Sequence, residues 1–443
     1  MKILFVDKSG DGGLDLAMRA IKAGHTVRYY LQNYDPVKRP IGKGLVPRVS
    51  EWQSSMRWAD LVLLMGNDRW MLEMDRWRAL GCRIIGGNAE SAAWEIDRDK
   101  GMAVFKKAGI ALPPYRSFTD YDAAIAYVKK QDRAFVSKPS GSCDDKSLSY
   151  VAKSPGDLVY MLERWKKGGK RKGLEFILQE KIDGVEAAVG AWFGPGGFAD
   201  GWEENFEFKK MMHSDKGPNT GEMGTVMRYV AQSKLAKMML EPVEDQLDAL
   251  GYIGNVDVNC IIDEEGTPWP LEFTMRFGYP AINIETSLFS MDPMEFLAGL
   301  AAGKPPAKAH KLNDVAVGVV MAIPPFPFEV PAYKEVVGVP LYGMTESLAE
   351  HVHPCEMMQG AAPHSDDGRI ENKPCLVTAG DYVLVATGTG PSVQDAARRA
   401  YQTLNRLDMP ASPFYRTDIG RRLSKQLPEL QRHGFNRGMR YAS

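Results

Sequence analysis

Cysteine is scarce in this chain. Its five cysteines, Cys82, Cys143, Cys260, Cys355 and Cys375, are scattered through 443 residues and form no CxxC pair. An odd, widely spaced set argues against a disulfide framework and against a zinc site, and it fits free thiols in a reducing cytoplasm. His351 and His353 stand close to Cys355 in the sequence, but in a proline-containing loop stretch that is not read as a metal cluster. Long apolar runs are also missing. None approaches the roughly 20 residues that span a bilayer. The opening MKILFVDKSG lacks the longer apolar stretch and small-residue cleavage site of a signal peptide. An excess of one charge is missing too: 55 Lys and Arg face 56 Asp and Glu, for a net charge of −1. No global field draws such a chain to nucleic acid or to an anionic membrane. The basic stretch Lys166 to Lys172 carries no interleaved aromatics and reads as a solvated loop. The expectation is a cytoplasmic monomer or homodimer acting on small molecules, with no nucleic-acid and no membrane partner.

What is present is an ordinary globular composition, 44% hydrophobic and 25% charged. The chain is too long for one core; at roughly 100–200 residues per domain, three or four units are expected. Residues 1–95 alternate strand-like and helix-like runs: KILFVD, a loop from Lys8 to Gly13, LDLAMRAIKAG, TVRYYL, then LVLLMG and RIIGG. That alternation predicts a parallel sheet with right-handed crossovers, whose ligands bind beyond the carboxyl ends of the strands. The loops after Val6 and Met65 lie at such ends. A helix and a Pro113-Pro114 turn follow, then AFVSKPSG and LEFILQE around a helical run, a mixed region to about 310, and a strand-rich unit to the end. The tail after Arg421 is rich in Arg and Lys and is expected to be a helix with a loose end.

The sharpest local signal lies at 254–276. Asp263-Glu264-Glu265-Gly266 is turn chemistry between two strand-like runs. A hairpin closed there pairs Ile262 with Thr267, and so Asp257 with Glu272 and Asn255 with Thr274. Side chains alternate along a strand. Asn255, Asp257, Asn259, Glu272 and Thr274 then share one face, and Val256, Val258, Cys260, Leu271, Phe273 and Met275 the other. Facing carboxylates repel unless something neutral or cationic intervenes. A magnesium ion would do so, since it prefers carboxylate and phosphate oxygens. The same pattern also describes a merely exposed polar face, and a register slip would separate the pair.

HSDKGPNTGEMGTV (His213 to Val226) resembles the GPNTGGMG signature of phosphoribosylamine–glycine ligases, with Glu222 in place of one glycine. LEFTMRFGYP (Leu271 to Pro280) resembles that family's EFNCRFGDPE. VGVVMA (Val317 to Ala322) and YRTDIG (Tyr415 to Gly420) match later patterns in order. The resemblance covers nearly the whole chain, weakly before residue 95. It implies an α/β and α+β multidomain protein: a Rossmann-like N-terminal domain over 1–97, an ATP-grasp central lobe over 98–116 and 187–310, a lid lobe over 117–186, and a C-terminal domain over 311–443. It implies ATP as cofactor with Mg2+ or Mn2+. Lys100, Lys138 and Lys146 fall at lysines that meet phosphates, as point charges. Gln179, Glu180, Lys181 and Ile182 fall at the hinge that reads adenine, and Glu186 at the ribose ligand. Glu272 falls at the metal-binding glutamate, with Thr274, Asn259 and Asp257 as its companions. Arg276, Asp215 and Asn219 would act at the acyl phosphate, and Pro218, Thr220, Gly221, Met223, Gly224 and Gly278 would border the substrates. Gly10, Gly12 and Gly13 remain able to cradle a phosphate at a helix N-terminus.

The implied chemistry joins a small-molecule carboxylate to an amine through an acyl phosphate, which needs positioning and charge neutralisation more than a protein nucleophile. Four departures bear on it. The family's Asn two residues after the metal glutamate is Thr274. Its glycine-rich lid is Gly141 to Ser147, with Asp144 and Asp145. Its sugar-phosphate loops GNGGREH and GPEAPL become Asp7 to Gly13 and Gly66 to Met71. Its RFGDPE becomes Arg276 to Ala281, losing two acids. Three readings stay open: the family's ligase, a ligase with another amine or acid, and a nucleotide-binding protein without catalysis.

Overall fold

The structure is a computed structural model that describes residues 1–10, 12–32, 38–139, 149–169, 175–328, 330, 334–366 and 369–443. Lys146, the Gly141 to Ser147 segment, Cys143, Asp11 and Lys170 to Lys172 lie outside the described residues.

The first sheet has five parallel strands in the order Arg48–Val49, Thr26–Leu31, Lys2–Asp7, Leu61–Leu64, Ile84–Ile85. Ile3, Leu4, Phe5 and Val6 are fully buried, as expected of a central parallel strand covered on both faces. The helix Gly13–Lys22 packs Leu14, Ala17 and Ala20 inward and ends at Gly24, whose φ of +88° suits the left-handed cap position. Asp15 of this helix accepts from Arg19 and bonds His353 Nδ1 at 2.8 Å, fixing the sheet's position against the strand Val352–Pro354.

A second, antiparallel sheet runs Tyr115–Phe118, Phe176–Glu180, Phe135–Pro139, Tyr150–Val151. The helices Tyr121–Val128 and Pro155–Lys167 cover one face through Ala124, Val128, Leu158 and Leu162. Asp120 and Ser154 cap their N-termini by accepting from Ala123 N and Asp157 N.

The largest sheet has ten strands. Its main path is Pro268–Thr274, Gly254–Ile262, Val185–Gly194, Trp202–Glu207, Gly224–Val230, Val315–Ala322, Tyr382–Gly390, Val352–Pro354, so it draws strands from both sides of residue 310. One face builds the main core, which includes Val256, Val258, Cys260, Phe273 and Met275. Phe273 stacks on Phe105 of the helix Arg98–Lys107 with ring centroids 4.1 Å apart.

Two expectations are corrected. In the hairpin, Ile262 pairs with Pro268, not Thr267; Asp257 faces Thr274, and Asn259 faces Glu272. The turn holds Asp263 to Thr267, because Asp263 accepts from Thr267 N and Trp269 Nε1. The ladder then shifts between Asn259 and Cys260, leaving Leu271 as the extra residue of a bulge. Each event moves the register by one, and their sum is even. The face assignment of Asn255, Asp257, Asn259, Glu272 and Thr274 therefore survives while every partner changes. The end of the chain is not loose. After the helix Leu423–Arg432, Phe435 and Met439 enter the main core, and the carbonyls of Arg440 and Tyr441 accept from Val393 N and Gln394 N.

Candidate active site

Alternation along four neighbouring strands gives the large sheet a polar face, and pairing aligns it in rows. Glu203, Gly190, Asp257 and Thr274 form one row; Asn205, Ala188, Asn259 and Glu272 form the next. Glu207 and Glu186 continue the pattern on their own strands. Above this face lies a cavity of about 700 Å³, lined also by Asp7 to Ser9 and Gly12, by Met65 to Arg69, and by Glu95, Arg98, Arg276 and Glu285. It sits at the carboxyl ends of the parallel strands, where doubly wound sheets place ligands.

One end of the cavity is built from opposite charges. Arg98 pairs with Glu272. Lys209 Nζ lies 2.8 Å from Glu186 Oε1 and 3.0 Å from Glu207 Oε2. Burial opposes the Lys209 charge, yet Glu186, Glu207 and Glu272 hold its pKa well above the usual lysine value. Lys138 donates to Gln179 Oε1 at 3.0 Å. Burial and then neighbouring Arg98 bring its ammonium down to about 7, against the opposing pull of Glu272. Asn259 Nδ2 donates to Glu207 Oε1 at 3.2 Å.

The other end carries carboxylates with neutral partners. Asn205 Nδ2 donates both to Glu203 Oε1 at 3.0 Å and to Asp257 Oδ2 at 2.8 Å. Gly190 leaves room beneath them: a Cβ there would stand 3.1 Å from Asp257 Oδ2 and 3.4 Å from Glu203 Oε2. Glu285 Oε2 accepts from Tyr229 Oη at 3.0 Å and Trp192 Nε1 at 3.2 Å. Burial raises all three carboxyls, Glu285 to about 7. Mutual repulsion adds to burial in each case.

Of the residues singled out from sequence, Gly12, Gly221, Gly278, Arg276, Asp257, Asn259, Glu272 and Thr274 line the cavity. Glu95 orients Arg276, accepting from its Nε at 3.1 Å while also accepting from Asn67 Nδ2 and Met275 N, both at 2.7 Å. Lys138, Gln179 and Glu186 gather beside it through the contacts above. Glu180, Lys181 and Ile182 follow Gln179, the first two with their N–H groups bonded to Pro114 O and Ala134 O.

Others stand apart. Lys100 is exposed and its nearest acid is Asp97 at 3.9 Å. Asp215, at φ +52° in the turn of a small hairpin, is held by Arg416 at 2.8 Å and by Arg422 at 3.5 Å. Pro218 and Asn219 belong to that hairpin's second strand. Thr220 caps the carbonyl of Lys209 through its N–H at 2.8 Å and hydroxyl at 2.9 Å. Met223 is fully buried, Gly224 starts a central strand, and Gly10 N donates to Asp7 Oδ1 at 3.1 Å. Gly13 packs so closely on Asp7 that an added Cβ would stand 2.4 Å from its Oδ2.

Sequence reasoning passed over Arg98, Lys209, Glu203, Asn205, Glu207 and Glu285. Only the alternation of Glu203, Asn205 and Glu207 in WEENFEF offered a signal, a period of two with carboxylates on one face. Among the described residues, no three His, Cys, Asp or Glu side chains converge as a metal cage. Magnesium usually takes only one or two carboxylates and completes its shell with phosphate and water. Glu272 with Asn259 opposite fits that demand.

Known proteins resemble this chain along most of its length. The family model for the ATP-grasp (A) domain of phosphoribosylglycinamide synthetase matches residues 100–282. The chain is 27% identical over 357 residues to the phosphoribosylamine–glycine ligase of Xanthomonas campestris, covering 78% of this chain and 79% of that protein. Among solved structures, the phosphoribosylamine–glycine ligase of Thermotoga maritima superposes with a TM-score of 0.70 at 19% identity, covering 95% of this chain and all of that one, 100%. The biotin carboxylase domain of Hydrogenobacter thermophilus 2-oxoglutarate carboxylase, solved with MgADP and bicarbonate, gives a TM-score of 0.61 at 12% identity, covering 94% of this chain and 91% of that one. No helix among the described residues is long and apolar enough to cross a membrane.

Proposed function

We propose that this chain, whose residues 100–282 match the family model for the ATP-grasp (A) domain of phosphoribosylglycinamide synthetase, is an ATP-dependent carboxylate–amine ligase. A carboxylate oxygen attacks the γ-phosphorus of ATP, the bond to ADP breaks, and an acyl phosphate forms. The amine nitrogen then attacks the acyl carbon, phosphate leaves, and the nitrogen gives up a proton as the amide forms.

The observation that carries this reading is the convergence of Lys138, Arg98, Lys209, Glu186 and Glu272 at one end of the cavity. Cations that already balance carboxylates there can turn to phosphates when a nucleotide enters. Lys138 and Arg98 would meet the phosphates, Glu186 the ribose, and Gln179 to Ile182 the adenine. Glu272 and Asn259 would hold a magnesium ion, which supplies charge neutralisation at the transferring phosphoryl group. Arg276, set by Glu95, would face the acyl phosphate. Such a site works by positioning and electrostatics.

The test is ADP formation from Mg-ATP by the full chain across a panel of amine and carboxylate pairs, glycine with phosphoribosylamine included. ADP release that depends on such a pair supports the ligase. Nucleotide binding without turnover on any pair would sink it. A changed amine substrate is favoured by the buried carboxyl groups gathered at the far end of the cavity.

A further inference from the structure

Lys209 joins the large sheet to a small hairpin, and its ammonium lies in the cavity between Glu186 and Glu207. The hairpin's strands, Lys210–Met212 and Lys216–Asn219, pair with each other and with no other strand among the described residues. A two-stranded hairpin is at best marginally stable in water on its own. Its turn adds strain, because Ser214 and Asp215 are consecutive non-glycine residues with φ of +61° and +52°. Contacts from elsewhere in the chain must hold the hairpin, and with it the backbone of Lys209.

Those contacts come from the segment Tyr415 to Gly420 and from Arg422, to which the ligase reading gives no role. Arg416 is buried, and its Nε and Nη2 donate to the two oxygens of Asp418 at 2.7 and 3.0 Å. Its Nη1 donates to Lys210 O at 3.0 Å and to Asp215 Oδ1 at 2.8 Å. Asp418 Oδ2 also accepts from Ser214 N at 2.9 Å, at the strained turn. Arg422 donates to Glu207 O at 2.6 Å and stands 4.1 Å from the centre of the Phe208 ring, with Arg416 5.1 Å from the same ring. Lys209 O itself accepts from the N–H and hydroxyl of Thr220. Carbonyls on both sides of Lys209 are therefore fixed by guanidinium groups from the far end of the chain. A rigid fork of five donors can make the four Arg416 bonds at once; the three donors of an ammonium cannot.

We propose that Arg416 and Arg422 are positioning residues, which clamp the backbone around Lys209 so that its ammonium stands at the γ-phosphate of the bound nucleotide. The proposal rests on the ligase reading, in which Glu186 meets the ribose and Glu272 the metal ion. Lys209 touches the first of these and is close enough to the second for its charge to be stabilised by it. A nucleotide laid from Glu186 to Glu272 passes Lys209, whose ammonium exchanges carboxylate partners for phosphate oxygens. Lysine is a point charge on a flexible four-carbon stem, so its aim depends on where its backbone is held. Asp215 then serves the clamp and not the chemistry.

Calorimetry of the full chain with Mg-ADP and with the magnesium complex of a non-hydrolysable imido analogue of ATP tests it. The wild type is expected to bind the analogue about tenfold or more tightly than ADP, the scale of one charged hydrogen bond. Lys209→Met, Arg416→Gln and Arg422→Gln should each remove most of that preference while ADP affinity stays within about twofold, since the clamp acts on a γ-phosphate contact that ADP does not make. Arg422→Lys, which keeps a donor for Glu207 O, should restore much of it. Arg422 is partly exposed, so its variants keep the test decisive if Arg416→Gln does not fold. Equal weakening of ADP and analogue would mark a merely structural clamp and overturn the proposal. So would a wild type without the preference, or a preference that survives in Lys209→Met or in both arginine variants. ADP formation from amine and carboxylate pairs is followed in the same proteins. No turnover on any pair, with the preference and its loss as expected, removes the ligase reading and keeps the clamp. Failure of both nucleotides to bind the wild type removes both.

Discussion

Asn259 stands directly across from Glu272 on the neighbouring strand, and both face the cavity. The pairing gives Glu272 an oxygen-bearing neighbour where the resembling family would supply one from the position now held by Thr274. Asp257 lies one row away and is tied to Asn205. On this arrangement Glu272→Gln is expected to lower ADP formation at least 100-fold, as loss of a charge-neutralising group commonly does. Asn259→Leu should raise the magnesium concentration needed for half-maximal rate. Near-normal turnover in the first variant, with melting within a few degrees of wild type, would remove Glu272 from the metal site.

Lys138 makes nucleotide binding depend on pH. Its ammonium is brought down to about 7 by burial and by Arg98, so at pH 8 much of it is neutral in the free protein. Incoming phosphates favour the charged form and draw a proton in. Calorimetry of Mg-ADP binding in buffers of different ionisation enthalpy should report proton uptake at pH 8 that fades toward pH 6. Lys138→Met should abolish the uptake and weaken binding about tenfold or more, the scale of one charged hydrogen bond. Buffer-independent heats at pH 8 would contradict the assignment.

Glu285 affects stability with the opposite slope to a salt-bridged acid. Burial raises its carboxyl to about 7, above the ordinary 4.5. Between those values the folded protein holds a proton that the unfolded chain has released. Its contribution is complete below the unfolded value and is lost as pH rises through about 7. Urea melts should therefore show the wild type losing stability from pH 5 to pH 8 relative to Glu285→Gln, by at most about 3 kcal/mol at 1.36 kcal/mol per unit. Parallel curves for the two proteins would exclude the effect.

Phe273 couples the core to the site. Its ring stacks on Phe105 and tilts against Trp94, 5.3 Å away, while Glu272 and Thr274 beside it face the cavity. Phe273→Ala should cost about 3–5 kcal/mol, the usual range for emptying a buried aromatic site. In variant protein that still folds, the KM for ATP should rise as the strand loses its anchor. A urea midpoint close to wild type would show that this packing matters little.

The sequence by itself determined the alternating face of the hairpin, because alternation is a local property of an extended chain. Counting along the two strands is enough to put Asn255, Asp257, Asn259, Glu272 and Thr274 on one side. Likewise the strand and loop order of residues 1–95 told where a ligand cleft would open. Partners were another matter. Whether Glu272 meets Asp257 or Asn259 depends on one residue in the turn and one at a bulge, and neither leaves a periodic trace. The pairing of Arg98 with Glu272, of Lys209 with Glu186, and of Asn205 with Asp257 joins residues far apart in the chain. Gly190 reads as any strand glycine until two carboxylates are found converging above it. Only the tertiary structure decided these, because strand order and register across a sheet are set by packing between distant segments. The buried carboxyl groups gathered at the far end of the floor are brought there by those pairings, and no single stretch of sequence contains them.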